Sequence, residues 1–297
     1  MTKVVAMCPA CNSTNSFHWG KYIATPVCKC NECHTIFFAR PISYKNDYFD
    51  YHQTLNYDDK QRATAELEIR KSQTATKIRI IQSKIPNQSL RILDVGSGPG
   101  CFAAGARQFG HEVLCGDINV AAVEFGKRNY GNQFVDIFEE RLGFFDVITF
   151  FHVIEHLEFP DALVSRAIEL LRPGGLFYAH VPKGETASNT LETGIKRFIR
   201  PSYDRAGCLY LPDHFTGFTL KGLKEFGNRM GLSEVEVGAL NFYSSEYDPR
   251  FLNIRGKYLR SMTKLGIEVV RGSIDAAFGG AWLRLLGRKP ILATDNR

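Results

Sequence analysis

The chain has 297 residues, of which 44% are hydrophobic and 23% charged, and this composition is ordinary for a globular protein. The length is sufficient for one sizeable α/β domain with accessory segments. No run of 18 apolar residues occurs, which excludes a transmembrane helix, and the first residues lack the apolar core of a signal peptide. We therefore expect a cytoplasmic protein.

The first 40 residues are rich in cysteine. Five of the eight cysteines lie there, and four of them form two Cys-x-x-Cys pairs separated by 18 residues. This spacing is typical of paired zinc knuckles, and four thiolates close a tetrahedral site that has no open position for a substrate. We predict a structural zinc ribbon over residues 1–40, whose ligands are Cys8, Cys11, Cys30 and Cys33. Cys28 and His34 are alternative ligands that lie outside the paired register.

A helical segment follows the ribbon. Apolar residues recur near helical spacing from Asp58 to Ile85, and Pro86 is the expected stop. We predict a linker and helical cap over residues 41–88, followed by a main domain over residues 89–297.

Strands and helices alternate in the main domain. The helices are predicted between the strands, for example over 120–129 and 160–171. Alternation of this kind predicts a mostly parallel sheet with helices on both faces. The predicted strands lie near residues 91–95, 112–116, 133–136, 145–150, 175–181, 234–241 and 290–294.

A glycine-rich loop follows the first of these strands. The strand contains Asp94, and Gly96, Gly98 and Gly100 come directly after it. Ligands of open α/β sheets bind where a strand ends in such a loop. The second strand ends in Asp117, an acid placed to accept hydrogen bonds from the two hydroxyls of a ribose. The loop has neither the Gly-x-Gly-x-x-Gly spacing of a dinucleotide site nor a Gly-Lys-Ser/Thr motif, so a nucleoside without phosphates fits better.

These motifs resemble those of the class I methyltransferases that use S-adenosylmethionine (SAM). Asp-Val-Gly-Ser-Gly-Pro-Gly matches their first motif, and the run from Phe145 to Leu157 is similar to their fourth strand and its catalytic edge. The resemblance covers roughly residues 60–245 and implies a Rossmann-like sheet of seven strands with the last one antiparallel. The cofactor-binding residues that it implies are Asp94, Gly96, Ser97, Gly98, Gly100, Asp117, Ile118, Asp136 and Ile137.

The resemblance also gives a role to two segments outside the motifs. Tyr48, Tyr51 and Tyr57 precede the first strand, where they either line the substrate entrance or pack the ribbon onto the main domain. Residues 246–288 form a basic helical insertion before the last strand. Residues 250–297 have a net charge of +7, whereas the rest of the chain has −1. The insertion therefore suits an anionic membrane surface, an anionic substrate or simply a solvated position on the sheet.

Four side chains are candidates for catalysis: His152, Glu155, His156 and His214. The sulfonium methyl of SAM is already electrophilic, so the enzyme must align the acceptor and take up a proton if the acceptor is a hydroxyl. Histidine suits this task because its pKa lies near neutrality. We predict His214 as the base, with His152 as the second choice, although a reaction without a protein base stays open. Several imidazoles beside one carboxylate could instead hold a divalent ion softer than Mg²⁺.

The methyl acceptor is the least constrained feature. The ribbon, the tyrosine-rich link and the insertion resemble methyltransferases of bacterial sugar and polysaccharide pathways, which implies O-methylation of a saccharide or another small metabolite, nucleotide- or lipid-linked forms included. The near-neutral body argues against the alternative of an RNA substrate. A non-catalytic SAM-binding partner subunit is the other alternative, and the sequence carries no signal for an oligomeric state.

Overall fold

The computed structural model describes residues 3–4, 6–22, 25–39, 60–87, 89–199, 209, 214–240, 273–275 and 280–291. Tyr48, Tyr51 and Tyr57 lie outside the described residues, as does most of the predicted insertion at 246–288. Their predicted roles therefore stay predictions. Within the described residues, no helix is both long and apolar enough to span a bilayer.

The elements are numbered here in chain order. The strands are β1 (Lys3–Val4), β2 (Ser16–Tyr22), β3 (Thr25–Cys30), β4 (Ile36–Phe38), β5 (Arg91–Val95), β6 (Glu112–Gly116), β7 (Gln133–Phe134), β8 (Phe145–Phe151), β9 (Leu171–Pro182), β10 (Thr216–Gly217), β11 (Ser233–Leu240) and β12 (Trp282–Arg288). The helices are α1 (Lys60–Lys84), α2 (Cys101–Arg107), α3 (Val120–Tyr130), α4 (Pro160–Leu170), α5 (Ala187–Ile199) and α6 (Leu220–Arg229).

Seven strands form the main sheet, in the order β11-β12-β9-β8-β5-β6-β7. The five strands from β9 to β7 are parallel, whereas β12 is antiparallel to both β9 and β11. This confirms the predicted α/β Rossmann-like sheet with an antiparallel last strand. From β5 the chain winds to β6 and β7 in one direction and then crosses to β8 on the other side of β5, so the reversal lies between β5 and β8, where a ligand crevice forms.

The last strand lies earlier than predicted. The prediction placed it at residues 290–294, but the structure places it at Trp282–Arg288 and leaves Ile291 75% exposed. The segment is inserted between two strands, where Leu283 and Leu285 are fully buried. Its apolar residues therefore fill a sheet, whereas the prediction assigned them to a helical insertion.

Apolar side chains cover both faces of the main sheet. Phe150 and Phe177 stack at 5.2 Å between ring centroids on one face. On the other face, Ile78 and Ile81 of α1 are fully buried in a cluster with Tyr178. The predicted helix before the first strand is thus confirmed, and it lies directly over the sheet.

The N-terminal residues form a second, smaller sheet in the order β1-β2-β3-β4-β10. Its first four strands belong to the cysteine-rich segment. The fifth, β10, comes from the main domain and pairs with β4 in antiparallel fashion. The two parts of the molecule therefore share one sheet.

Candidate functional site

The loop between β5 and α2 has a backbone that only glycine adopts readily. Gly96, Gly98 and Gly100 have φ of +66°, +55° and +79°, all in the left-handed region. A Cβ on Gly96 would lie 2.4 Å from Cγ2 of Val153, whereas the space beside Gly98 is open. The glycines thus let the loop turn tightly and keep its surface clear for a ligand.

Asp117 follows β6 and faces the same loop. Its carboxylate accepts a hydrogen bond from the Gly98 N–H at 2.6 Å and another from the Asn119 N–H at 2.8 Å. These bonds fix the carboxylate at the end of the strand. A carboxylate has about four lone-pair directions, so it can also accept bonds from a diol.

A cavity of about 650 Å³ opens at the carboxyl ends of β5, β6 and β8. Eight of the predicted site residues line it. They are Gly96, Gly98, Asp117, Ile118, Asp136, Ile137, His152 and His156.

The other predicted site residues are not part of the described cavity lining. Ser97 and Gly100 shape the loop from behind, and Asp94 is buried beneath it. Glu155 and His214 lie on the far side of His156.

Asp94 is a buried acid with a cationic neighbour that sequence reasoning missed. It accepts a hydrogen bond from Thr149 at 2.6 Å, and burial raises its pKa to about 6 although Lys77 opposes the shift. Lys77, on α1, has its Nζ 3.7 Å from the centroid of the Phe151 ring. Burial lowers the pKa of Lys77 to about 8. No sequence signal identifies this lysine, because only the packing of α1 brings it to the cavity end of β5.

A buried glutamate, Glu155, lies just after the carboxyl end of β8, next to the cavity. The Glu155 side chain is fully buried, and neither of its carboxylate oxygens has a hydrogen-bond partner among the described residues. Burial raises its pKa, while His156 and His214 oppose that shift. The distance from Glu155 Oε1 to His156 Nε2 is 3.8 Å, and to His152 Nδ1 it is 3.7 Å. The carboxyl group is thus placed to interact with a charged imidazole.

His214 joins this group from a distant part of the chain. Its ring centroid lies 4.7 Å from that of His156, and the N–H of the next residue, Phe215, donates to the Glu155 carbonyl at 2.8 Å. Potential ligand atoms of Glu155, His156 and His214 all lie within 4.8 Å of one another. The three candidate residues Glu155, His156 and His214 therefore lie together. Their side chains can either transfer a proton or bind a divalent cation.

His152 has a different setting. Its φ of +62° is rare for a residue with a side chain, and its ring packs edge-on against Trp282 with 4.6 Å between centroids. The side chain is 43% exposed and lines the cavity. It therefore borders the place where an acceptor would lie.

The four predicted zinc ligands also come together. The Sγ atoms of Cys8, Cys11, Cys30 and Cys33 lie within 4.8 Å of one another, with 3.6 Å for two of the pairs. Zinc–sulfur bonds of about 2.3 Å in a tetrahedron require roughly 3.8 Å between sulfurs. The shared hydrogen bond lowers the pKa of Cys33 and raises that of Cys8, and burial raises the pKa of Cys11, so the thiols must lose protons when zinc binds. The geometry fits one structural zinc ion, and the group includes neither Cys28 nor His34.

Comparison with known proteins adds an independent finding. A family model described as a methyltransferase domain matches residues 67–237, more than half of the chain. Among curated proteins, the ubiquinone biosynthesis O-methyltransferase of Coxiella burnetii is 27% identical over 199 residues, which cover 57% of this chain and 83% of that protein. The protein of the same name from Mesorhizobium japonicum is 31% identical over 102 residues, or 31% of this chain and 41% of that one.

Solved structures share the fold at lower identity. Phosphoethanolamine N-methyltransferase 2 of Haemonchus contortus, in complex with S-adenosyl-L-methionine, has a TM-score of 0.54 and 18% identity. The match covers 86% of this chain and 64% of that one. A second structure of this Haemonchus contortus enzyme, in complex with phosphomonomethylethanolamine and S-adenosylhomocysteine, has a TM-score of 0.51 and 18% identity, and covers 73% of this chain and 53% of that one. The chain thus spans between half and two thirds of those proteins.

Proposed function

Since the chain belongs to the methyltransferase-domain family and is a SAM-dependent methyltransferase, we propose that it methylates an oxygen of a small molecule, with a saccharide as the first acceptor to test. The O-methyltransferase names of the curated relatives support the oxygen. The saccharide rests on the sequence resemblance alone.

The observation that carries this proposal is the group of four side chains at one end of the cavity: His152 and His156 line it, and Glu155 and His214 lie behind His156. On the loop side, Asp117 would hold the ribose of SAM, and Asp136 and Ile137 would border its adenine. Lys77 and Asp94 are placed for the charged methionine end. His152 and His156 line the same cavity and would border the reacting methyl group.

In this arrangement the protein supplies alignment, exclusion of water and removal of one proton. His214 is the proposed base, because it faces the buried Glu155 carboxylate, which stabilises an imidazolium after proton uptake. His156 lies between His214 and the cavity, and His152 contributes the opposite wall. His152 is the alternative base because it lines the cavity directly.

The acceptor is sought by supplying the protein with SAM that carries a deuterated methyl group. The candidate acceptors are small-molecule and sugar-nucleotide extracts from cells that lack the gene, and ribosomal RNA is tested separately. Mass spectrometry should find a deuterated methyl ether in the small-molecule fraction. A deuterated methyl group found only in RNA would favour the alternative of an RNA methyltransferase. A label in neither fraction would contradict the proposed methylation of a small molecule.

The base is tested by His214→Asn, which keeps the size of the side chain but cannot take the proton. Turnover with the labelled extract should fall by roughly 10²–10⁴-fold, while SAM affinity stays near that of the wild type. His152→Asn is the matched variant and should have a milder effect. Loss of turnover in His152→Asn alone would assign the base to His152, and near-normal turnover in both would mean that positioning alone carries the reaction.

A further inference from the structure

The zinc ribbon contacts the acceptor side of the site through the backbone. In the antiparallel pair of β4 and β10, Phe37 pairs with Thr216 and Ile36 with Gly217. The N–H of Phe38 also donates to the Phe215 carbonyl at 3.4 Å. The ribbon sheet therefore continues into the segment that begins with His214.

The opposite side of this segment is attached to the catalytic edge. The Phe215 N–H donates to the Glu155 carbonyl, and the Phe218 carbonyl accepts from the Gly184 N–H at 2.8 Å. Residues 214–218 are thus held between the ribbon on one side and the main domain on the other. A displacement of β4 would move His214 relative to Glu155.

The connection from the zinc ligands to this segment is short. Thr219 Oγ1 donates to the carbonyl of Cys33 at 2.5 Å and accepts from the Gly222 N–H at 2.9 Å, as the N-cap of α6. Thr35, two residues after Cys33, packs so closely on α6 that a Cβ on Gly222 would lie 2.0 Å from its Oγ1. The cysteine site, β4 and α6 are in direct contact, with no room for an added methyl group.

We propose that the zinc ribbon is a positioning element of the active site. Zinc bound to the four cysteines holds β4 in place, and β4 holds residues 214–218 so that His214 faces Glu155. Because the residues proposed to hold the ribose and adenine of SAM follow β5, β6 and β7 and not β4 or β10, loss of the ribbon geometry lowers turnover and leaves SAM affinity unchanged. This inference rests on the proposed function for its catalytic consequence, whereas its structural part can be measured without any acceptor.

The sharpest variant is Gly222→Ala, which inserts a methyl group between α6 and Thr35 without changing a zinc ligand or a cavity residue. Zinc content and the affinity for S-adenosylhomocysteine should stay within twofold of the wild type. Backbone amides of residues 36–38 and 214–218 should exchange with deuterium at least tenfold faster, while those of β5 do not change. Turnover with the labelled extract should fall at least tenfold. Lys224→Ala, at an exposed position of the same helix, is the control and should change none of these.

Two further comparisons guard against general damage to the fold. The double variant Gly222→Ala/Thr35→Ala removes the oxygen that the new methyl group meets, but it also removes the hydrogen bond that this oxygen accepts from Cys33 Sγ at 3.3 Å. It is therefore compared with Thr35→Ala alone, and the double variant should show no faster amide exchange and no lower turnover than that single variant. Cys33→Ser should release zinc and reproduce the effects of Gly222→Ala, whereas Cys28→Ser, in the same ribbon but outside the ligand group, should keep zinc and turnover.

Unchanged exchange at residues 214–218 after zinc loss would overturn the proposal, as would faster exchange with normal turnover. Loss of S-adenosylhomocysteine binding in Cys33→Ser would also overturn it, because the effect would then reach the whole domain. If no fraction accepts a methyl group, the proposed function fails, and the exchange measurements alone still decide whether zinc holds the segment.

Discussion

Asp117 illustrates how a single residue can serve both the loop and the ligand. Its carboxylate fixes two backbone N–H groups and stands at the cavity where a ribose would lie. Replacement by alanine removes the acceptor of the ribose hydrogen bonds in the bound state, which costs about 1–3 kcal/mol of binding. We expect Asp117→Ala to weaken SAM binding by this amount in titration calorimetry. Glu112→Ala, at the exposed start of the same strand, is the control, and equal affinity in both variants would reject the assignment.

Asp94 predicts a pH dependence whose sign follows from its environment. Burial raises its folded-state pKa to about 6 from an ordinary value of 3.8, against the influence of Lys77. The folded protein therefore holds this proton more tightly than the unfolded chain. The corresponding stability is complete below pH 3.8 and is lost as the pH rises through 6.

Asp94→Asn removes this titration while an oxygen stays available to Thr149. Relative to the wild type, its melting temperature should rise by a few degrees between pH 4.5 and pH 7.5, at roughly 2–4 °C per kcal/mol for a domain of this size. SAM affinity should fall, because the amide loses the negative charge. Asp136→Asn, at an exposed acid, should show no such rise. A constant difference in melting temperature across this range would contradict the raised pKa.

At the scale of elements, the strands of the parallel sheet could be predicted because each ends in a motif. Asp94 with its glycines, and Asp117, mark two carboxyl ends, and the buried runs before them are too apolar for loops. The last strand had no such marker. Trp282–Arg288 carries two arginines and a glycine among its apolar residues, without strict alternation, and becomes a strand because β9 and β11 leave a space between them. A strand that forms because of its tertiary neighbours cannot be predicted from the local sequence pattern.

The same limit applies to the site. The glycine-rich loop and Asp117 could be predicted from the spacing of their motifs, and the cysteine group could be predicted from its two Cys-x-x-Cys pairs. Lys77 and the orphaned oxygens of Glu155 depend on how α1 and residues 214–218 pack, which spacing does not encode. The pairing of β4 with β10 is likewise invisible in sequence, since β10 has only two residues.

The glycine loop offers a test of element geometry. Gly96 combines a left-handed φ with a collision, because its added Cβ would lie 2.4 Å from Val153 Cγ2. Gly131, which ends α3, has a φ of +61° but open space around it. Left-handed backbone costs an alanine about 1–2 kcal/mol. We expect Gly131→Ala to lose this amount of stability in urea unfolding and Gly96→Ala to lose more. Equal losses of stability in the two variants would show that the Val153 side chain moves away from the new methyl group at no energetic cost.

At the scale of the whole molecule, the ribbon and the main domain are joined by contacts that a separate accessory module would not need. The shared sheet is one, and the ion pair between Lys29 of the ribbon and Glu185 of the main domain is another. A third involves Arg229 at the end of α6. A segment of about 40 residues has too little core to fold alone without a metal. These contacts and the proposed zinc therefore support the ribbon together.

Arg229 allows this joint support to be measured. Its guanidinium donates to the carbonyls of Pro9 and Ala10, inside the first Cys-x-x-Cys pair, at 2.8 and 3.2 Å. It also forms a two-bond ion pair with Asp161, whose side chain is 55% exposed. Exposed ion pairs contribute about 0–1 kcal/mol, whereas hydrogen bonds from a charged donor contribute about 1.5–3 kcal/mol.

Two variants separate these contributions. Arg229→Gln should speed the transfer of zinc to a colorimetric chelator at least tenfold and lower the melting temperature, because the knuckle carbonyls lose their charged donor. Asp161→Asn breaks only the exposed ion pair and should release zinc at nearly the wild-type rate. Equal acceleration in both variants would place the support in the ion pair, and acceleration in neither would mean that the four thiolates alone retain the metal.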